Sequence, residues 1–150
     1  MPIVTVDFLA NSGPLLTVAI GLSQPKAAIL RITNQPVPQK QIVQALIDTG
    51  ASGTVIDQGL VPLLGLVQIG TLLMHSASAT NIVVPTYDVM FAIGGPAKGP
   101  AMGLHYVEQN IQVTSAPLAI QNIGALIGRD ILSKCLLTYN GPACTVSLAY

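Results

Sequence analysis

The sequence predicts an all-β fold, a barrel or sandwich of short strands, and three observations predict it. Apolar runs rich in β-branched residues recur along the chain, clusters of Gly, Pro, Asn and Ser break them apart, and little of the chain has the spacing of an amphipathic helix. Ile3 to Phe8 and Leu15 to Ile20 read as an opening hairpin around Ala10-Asn11-Ser12-Gly13-Pro14. Ala27 to Thr33 and Gln41 to Ile47 read as two more strands, joined across Asn34 to Pro38. Gly53 to Leu66 starts as a strand and ends in a short helical turn or loop around Val61 to Leu66. Ile69 to Met74 and Ile82 to Ile93 flank a small polar tip, His75 to Asn81. Beyond the loop Gly94 to Pro100, Met102 to Val107 and Ile111 to Val113 continue the strand pattern. Asp130 to Cys135 is the one plausible short helix, and Cys135 to Tyr139 with Thr145 to Leu148 closes the chain as a hairpin. No internal repeat or linker interrupts residues 1–150, which read as one compact domain.

A chain of 150 residues buries enough surface to hold a core without disulfide or metal staples. Six Lys plus Arg balance six Asp plus Glu and form no basic run, which argues against nucleic acid or an anionic membrane surface as partner. Charged residues make up 8% of the chain against a usual share of about 25%, so part of the surface is expected to be covered. A lipid bilayer is a poor candidate for the cover. The apolar stretch Gly59 to Met74 falls short of the ~20 residues of a spanning helix and contains Pro62 and Gln68. The first residues lack the basic start and apolar block of an export signal, so the cytoplasm is the expected location. Cys135 and Cys144 flank Asn140-Gly141-Pro142 at an offset that suits buried thiols better than a disulfide.

Chemistry concentrates at Ala45-Leu46-Ile47-Asp48-Thr49-Gly50-Ala51-Ser52, where an apolar strand ends abruptly in a carboxylate, a hydroxyl, a glycine and two small residues. Acid-type peptide hydrolysis needs two carboxylates that share one proton, one acting as base toward water while the other polarises the scissile carbonyl. Thr49 suits cross-bonding of backbone, and Gly50 lets backbone amides approach the carboxylate. Taken alone, Asp-Thr-Gly reads first as an ordinary turn in which Asp48 caps backbone amides.

The surroundings add to this. ALIDTGASGTVID (Ala45 to Asp57) and ALIGRDIL (Ala125 to Leu132), in that order and separated by a β-rich interval, resemble the two signature blocks of the retropepsin-like aspartic proteases. The resemblance implies a closed acid-protease-type β-barrel with one short helix, assembled as a homodimer. It implies that Asp48 is the catalytic carboxylate and that Thr49 and Gly50 support the active site. Ala51 follows the retroviral form of the motif. Ser52 departs from it, where an aspartate is usual, so Arg129 needs another partner, with Asp130 and Asp57 as candidates. Asp-Thr/Ser-Gly occurs once, so one chain supplies half a site and two copies are expected to meet on a two-fold axis. The terminal strands Ile3 to Phe8 and Thr145 to Tyr150 are apolar enough to pair across that interface.

Within the resemblance, the hairpin Ile69 to Tyr87 is a flap, and Ser76, Ala77 and Ser78 at its tip, with Ala51, Ser52 and Ile127, are expected to bind substrate. An apolar cleft lined by Leu46, Val55, Ile82, Val84 and Ile127 would take a peptide as an extended strand. Metal and organic cofactors are not implied, and His75 and His105 read as non-catalytic. The glycine cluster at 94–100 lacks phosphate-loop spacing. The expected function is aspartic endopeptidase, and the alternative is a catalytically silent peptide-binding or structural dimer on the same fold.

Overall fold

The computed structural model describes residues 2–75, 80–95 and 103–150. Its centre is a ring of strands. β2 (Leu15–Leu22) pairs with β3 (Gln41–Ile47), β3 with β8 (Ala125–Ile127), β8 with β4 (Val55–Asp57), β4 with β7 (Gly103–Ala116) and β7 with β6 (Ile82–Gly95). The ring closes where β6 returns to β2, from Val18 opposite Ile93 to Leu22 opposite Val89. Six strands thus form a barrel without open edges, the arrangement that removes the liability of an exposed sheet edge. β5 (Gly70–Met74) hangs on the far side of β6 as the first arm of the predicted hairpin. The tip residues Ser76, Ala77 and Ser78 lie outside the described residues.

Alternation along the strands fills the interior. Val18 and Ile20 from β2, Ala45 from β3, Val89, Phe91 and Ile93 from β6, and Ala125 and Ile127 from β8 are all fully buried. Each large aliphatic or aromatic side chain hidden in this way contributes roughly 1.5–3 kcal/mol of transfer free energy. Two pairings decide where the two signature blocks meet. β3 and β8 run parallel, with Ile47 opposite Ile127, and β4 runs antiparallel to β8, with Val55 opposite Leu126. The two signature blocks therefore leave the barrel at the same end, side by side, although about eighty residues separate them.

A second sheet holds β1 (Ile3–Asp7), β10 (Thr145–Ala149) and β9 (Leu136–Asn140), with β10 in the middle. Val4, Val146 and Leu148 turn inward to the main core, while Thr5 and Ser147 bond to one another on the outward face at 2.8 Å. The opening hairpin expected from sequence does not form: β1 pairs with β10, and both edges of β2 are taken by β3 and β6. β10 likewise has both edges occupied by strands of its own chain, so it has no edge left for a second copy. The open edges are the outer ones of β1 and β9.

The expected strand Ala27 to Thr33 is instead a nine-residue helix, α1 (Gln24–Ile32). Ser23 precedes it, Pro25 sits in its first turn where no N–H is needed, and Asn34 in the left-handed region (φ 54°) ends the segment. Two short helices follow, α2 (Leu60–Leu63) and α3 (Arg129–Leu132); the second is the helix expected after Gly128. The two strand pieces expected beyond residue 102 are one long strand, β7. Cys135 and Cys144 are free, half-buried thiols, and burial raises the Cys135 pKa. No helix among the described residues is long and apolar enough to cross a membrane.

Candidate active site

Asp48 is the first residue beyond β3. Its N–H donates to the Ile127 carbonyl at 3.0 Å, which extends the β3–β8 ladder by one rung and fixes the point where the chain turns. The turn then folds back on the carboxylate: Oδ1 accepts the Gly50 N–H at 2.9 Å and the Ala51 N–H at 3.2 Å. Oδ2 accepts no bond from the described residues. Asp48 is half-buried, whereas Thr49 and Gly50 are exposed.

The segment after β8 grips this turn from behind at several points. Arg129 N–H donates to the Ala51 carbonyl at 3.0 Å, and its Nη1 donates to the carbonyls of Thr49 at 2.9 Å and Gly50 at 3.2 Å. Neither Asp130 nor Asp57 is the partner of Arg129, because both carboxylates are engaged elsewhere. Asp130 accepts the Thr54 N–H at 2.9 Å, the Thr54 hydroxyl at 2.8 Å and its neighbour's Ile131 N–H at 2.9 Å. The Thr54 hydroxyl, in a residue 1% exposed, in turn accepts the Gly128 N–H at 3.2 Å. Asp57 binds the amides of Gly59, Leu118 and Ala119 and so ties the end of β4 to the turn Ala119–Gln121. Gly128 is required by space: a Cβ there would lie 2.4 Å from the backbone of Gly53. The two signature blocks dock backbone to backbone, and any side chain at Gly128 would push them apart.

A cleft of about 550 Å³ opens above the turn. Asp48, Gly50, Ala51 and Ser52 form one side of it, with Arg129 beside them. Val55 is the one member of the five-residue apolar lining expected from sequence that reaches the cleft; Leu72, Met74, Val113 and Leu126 add to the apolar wall. Ile127 is not in the cleft: at 0% exposure it belongs to the barrel core, because the β8 register turns Ala125 and Ile127 inward and Leu126 outward. His75 stands at the cleft too, its Nδ1 accepting the Asn81 N–H at 3.4 Å across the two arms of the hairpin. Thr86, Gln112 and Thr114 also reach the cleft, and nothing in their local sequence marks them. Their only signal would have been the strand alternation that sets them on one face with Leu72 and Met74.

One charged cluster lies outside the cleft. Glu108 on β7 accepts from Lys134, which follows α3, and from the Tyr106 hydroxyl. These bonds, that from Lys134 foremost, hold the Glu108 carboxyl below its ordinary pKa, while burial and then the bond to Glu108 push Tyr106 well above its own.

A closed barrel whose Asp-Thr-Gly turn is braced by a glycine-arginine helix start defines the retropepsin-like class of folds. The profile of the retroviral aspartyl protease family matches residues 10–139, and the chain belongs to that family. Among solved structures it is similar to a retropepsin-like aspartic protease from Rickettsia conorii, with a TM-score of 0.56 and 13% identity over 99% of this chain and 91% of that one. A second alignment is with a structure of the foamy viral protease-reverse transcriptase in complex with RNA/DNA hybrid. There the TM-score is 0.47 and the identity 15%, over 82% of this chain and 12% of that one. No curated protein matches the chain.

Proposed function

We propose that the protein is an aspartic endopeptidase whose active unit is a homodimer, with residues 1–150 as one protease domain. One observation carries the reading: Asp48 is the one carboxylate among the described residues that lines the cleft. Asp57 and Asp130 are held by backbone and threonine donors away from it, so one chain provides half of a two-carboxylate site. Symmetry supplies the other half. Two Asp48 side chains brought together on a two-fold axis share a single proton, because like charges at such a distance cannot both ionise. The ionised member draws a proton from a water held between them, the water attacks the peptide carbonyl, and the protonated member polarises that carbonyl and then protonates the leaving amine. No covalent intermediate forms.

The rest of the site has supporting roles in this scheme. Gly50 and Ala51 amides fix the inner oxygen of Asp48, leaving Oδ2 to face the water. Thr49 is exposed beside it and in this scheme contacts its counterpart in the second copy. The hairpin of β5 and β6 covers the bound peptide, with Ser76, Ala77 and Ser78 at its tip. Asp48→Asn is expected to abolish peptide hydrolysis while far-UV circular dichroism and sedimentation stay those of the wild type. A wild-type dimer that leaves a broad peptide library intact between about pH 4 and 7 would turn the reading toward a silent peptide-binding dimer.

A further inference from the structure

The wall of the cleft is polar where an apolar residue would be easier to bury. Thr86 on β6 and Thr114 on β7 lie directly opposite one another and are 2% and 7% exposed. Gln112 stands two residues before Thr114 on the same face of β7, and its Nε2 donates to the Thr86 hydroxyl at 3.3 Å. Among the described residues the Thr114 hydroxyl has only the Met74 sulfur, at 3.8 Å, which is a weak acceptor. Two hydroxyls and an amide therefore converge between the apolar walls of Val55, Leu72 and Met74. Among the described residues the Gln112 Oε1 has no donor and the Thr86 hydroxyl proton has no acceptor. A buried hydroxyl with an unused proton is costly unless a bound molecule completes it.

From this geometry we infer that the pocket selects a substrate side chain with an apolar stem and an uncharged hydrogen-bonding end, glutamine foremost. The inference rests on the cleft binding extended peptides, as proposed above. A primary amide offers what the wall lacks in the right polarity: its NH₂ donates to Gln112 Oε1 and its carbonyl accepts from the Thr86 hydroxyl. Its methylenes pack on Leu72, Met74 and Val55. A carboxylate would meet Gln112 Oε1 without a proton to give it and would share the cleft with Asp48, so glutamate is rejected. Leucine fills the volume and leaves both polar groups unpaired, which is the circumstance in which a polar pocket discriminates most against an apolar isostere.

The test uses the Asp48→Asn protein, so that binding is read without cleavage. Peptides randomised one position at a time are bound to it and to the same protein carrying Gln112→Leu or Thr86→Val. At one peptide position glutamine is expected to bind about tenfold tighter than leucine, and either further substitution is expected to remove or reverse that ratio. Gln112 is exposed on its strand, so Gln112→Leu remains informative if Thr86→Val folds poorly. A preference for leucine at every position, an unchanged ratio in both variants, or no peptide binding at all overturns the inference. Should the wild type cleave nothing while the Asp48→Asn protein still selects glutamine, hydrolysis is refuted and the pocket preference stands.

Discussion

Asp130 holds the loop that follows Asp48. Its two oxygens take three donors, two of them from Thr54, and Thr54 is buried at the hinge between the Asp48 turn and β4. Asp130→Ala leaves the buried Thr54 N–H without an acceptor, so a loss of about 3 kcal/mol is expected, readable as a lowered urea midpoint. Hydrolysis should fall further, by roughly 10- to 100-fold in kcat/KM, since a displaced loop misplaces the reacting groups. Asp130→Asn keeps one acceptor oxygen and should recover part of both; a change under about 1 kcal/mol in the alanine variant would refute the role. At this scale the sequence was readable only where contact is local. The Asp48 carboxylate bonds the Gly50 and Ala51 amides two and three residues on, and that local turn shows in the tripeptide. Arg129 reaches carbonyls some eighty positions away, and main-chain acceptors carry no residue-type signature, so the carboxylate partners expected for it were the wrong kind of group. Ile127 and Leu126 differ only in the phase of a three-residue strand, and that phase is fixed by the partner strand.

Elements were legible when their pattern was longer than their ambiguity. The β5–β6 and β9–β10 hairpins form where expected, and the helix after Gly128 forms over Arg129–Leu132, stopping three residues short of the expected Cys135. α1 shows the converse: Ala27 to Ile32 is a short apolar run, which periodicity alone cannot assign, and the signals that settle it are Pro25 ahead of it and Thr33-Asn34 behind. The link from β7 to the segment after α3 makes a pH prediction. The Glu108 carboxyl is held below its ordinary pKa by Lys134 and Tyr106, so its contribution is present above the unfolded carboxylate pKa and is lost as pH falls through the lower folded one. Lys134 is half exposed, which limits the contribution to about 1 kcal/mol or less. Glu108→Gln should therefore lower the urea midpoint slightly at pH 7 and have no effect at a pH below the folded value. Tyr106 has the opposite sign: its raised pKa gives a contribution that is present below the ordinary tyrosine value and is lost as pH rises above it toward the folded one, so unfolding should become easier only in strong alkali.

For the whole molecule, the sequence indicated a barrel through its strand spacing and its two blocks, yet not how the barrel closes. Closure depends on β6 returning to β2, and pairing between distant strands leaves no trace in either strand alone. The same holds for β1, whose partner lies at the other end of the chain. The low charge, which pointed to a covered surface, is accounted for in the proposed dimer by a second copy at the Asp48 turn and a peptide in the cleft. The saturated position of β10, between two strands of its own chain, then has a consequence for how activity is controlled. Every strand pairing described lies within one chain, so in the proposed dimer a protomer is expected to fold before it pairs, and activity is expected to depend on concentration. On dilution, peptide cleavage should fall with the square of protein concentration while circular dichroism and melting temperature stay constant, and a melting temperature that drops with dilution would show that folding and pairing are one event.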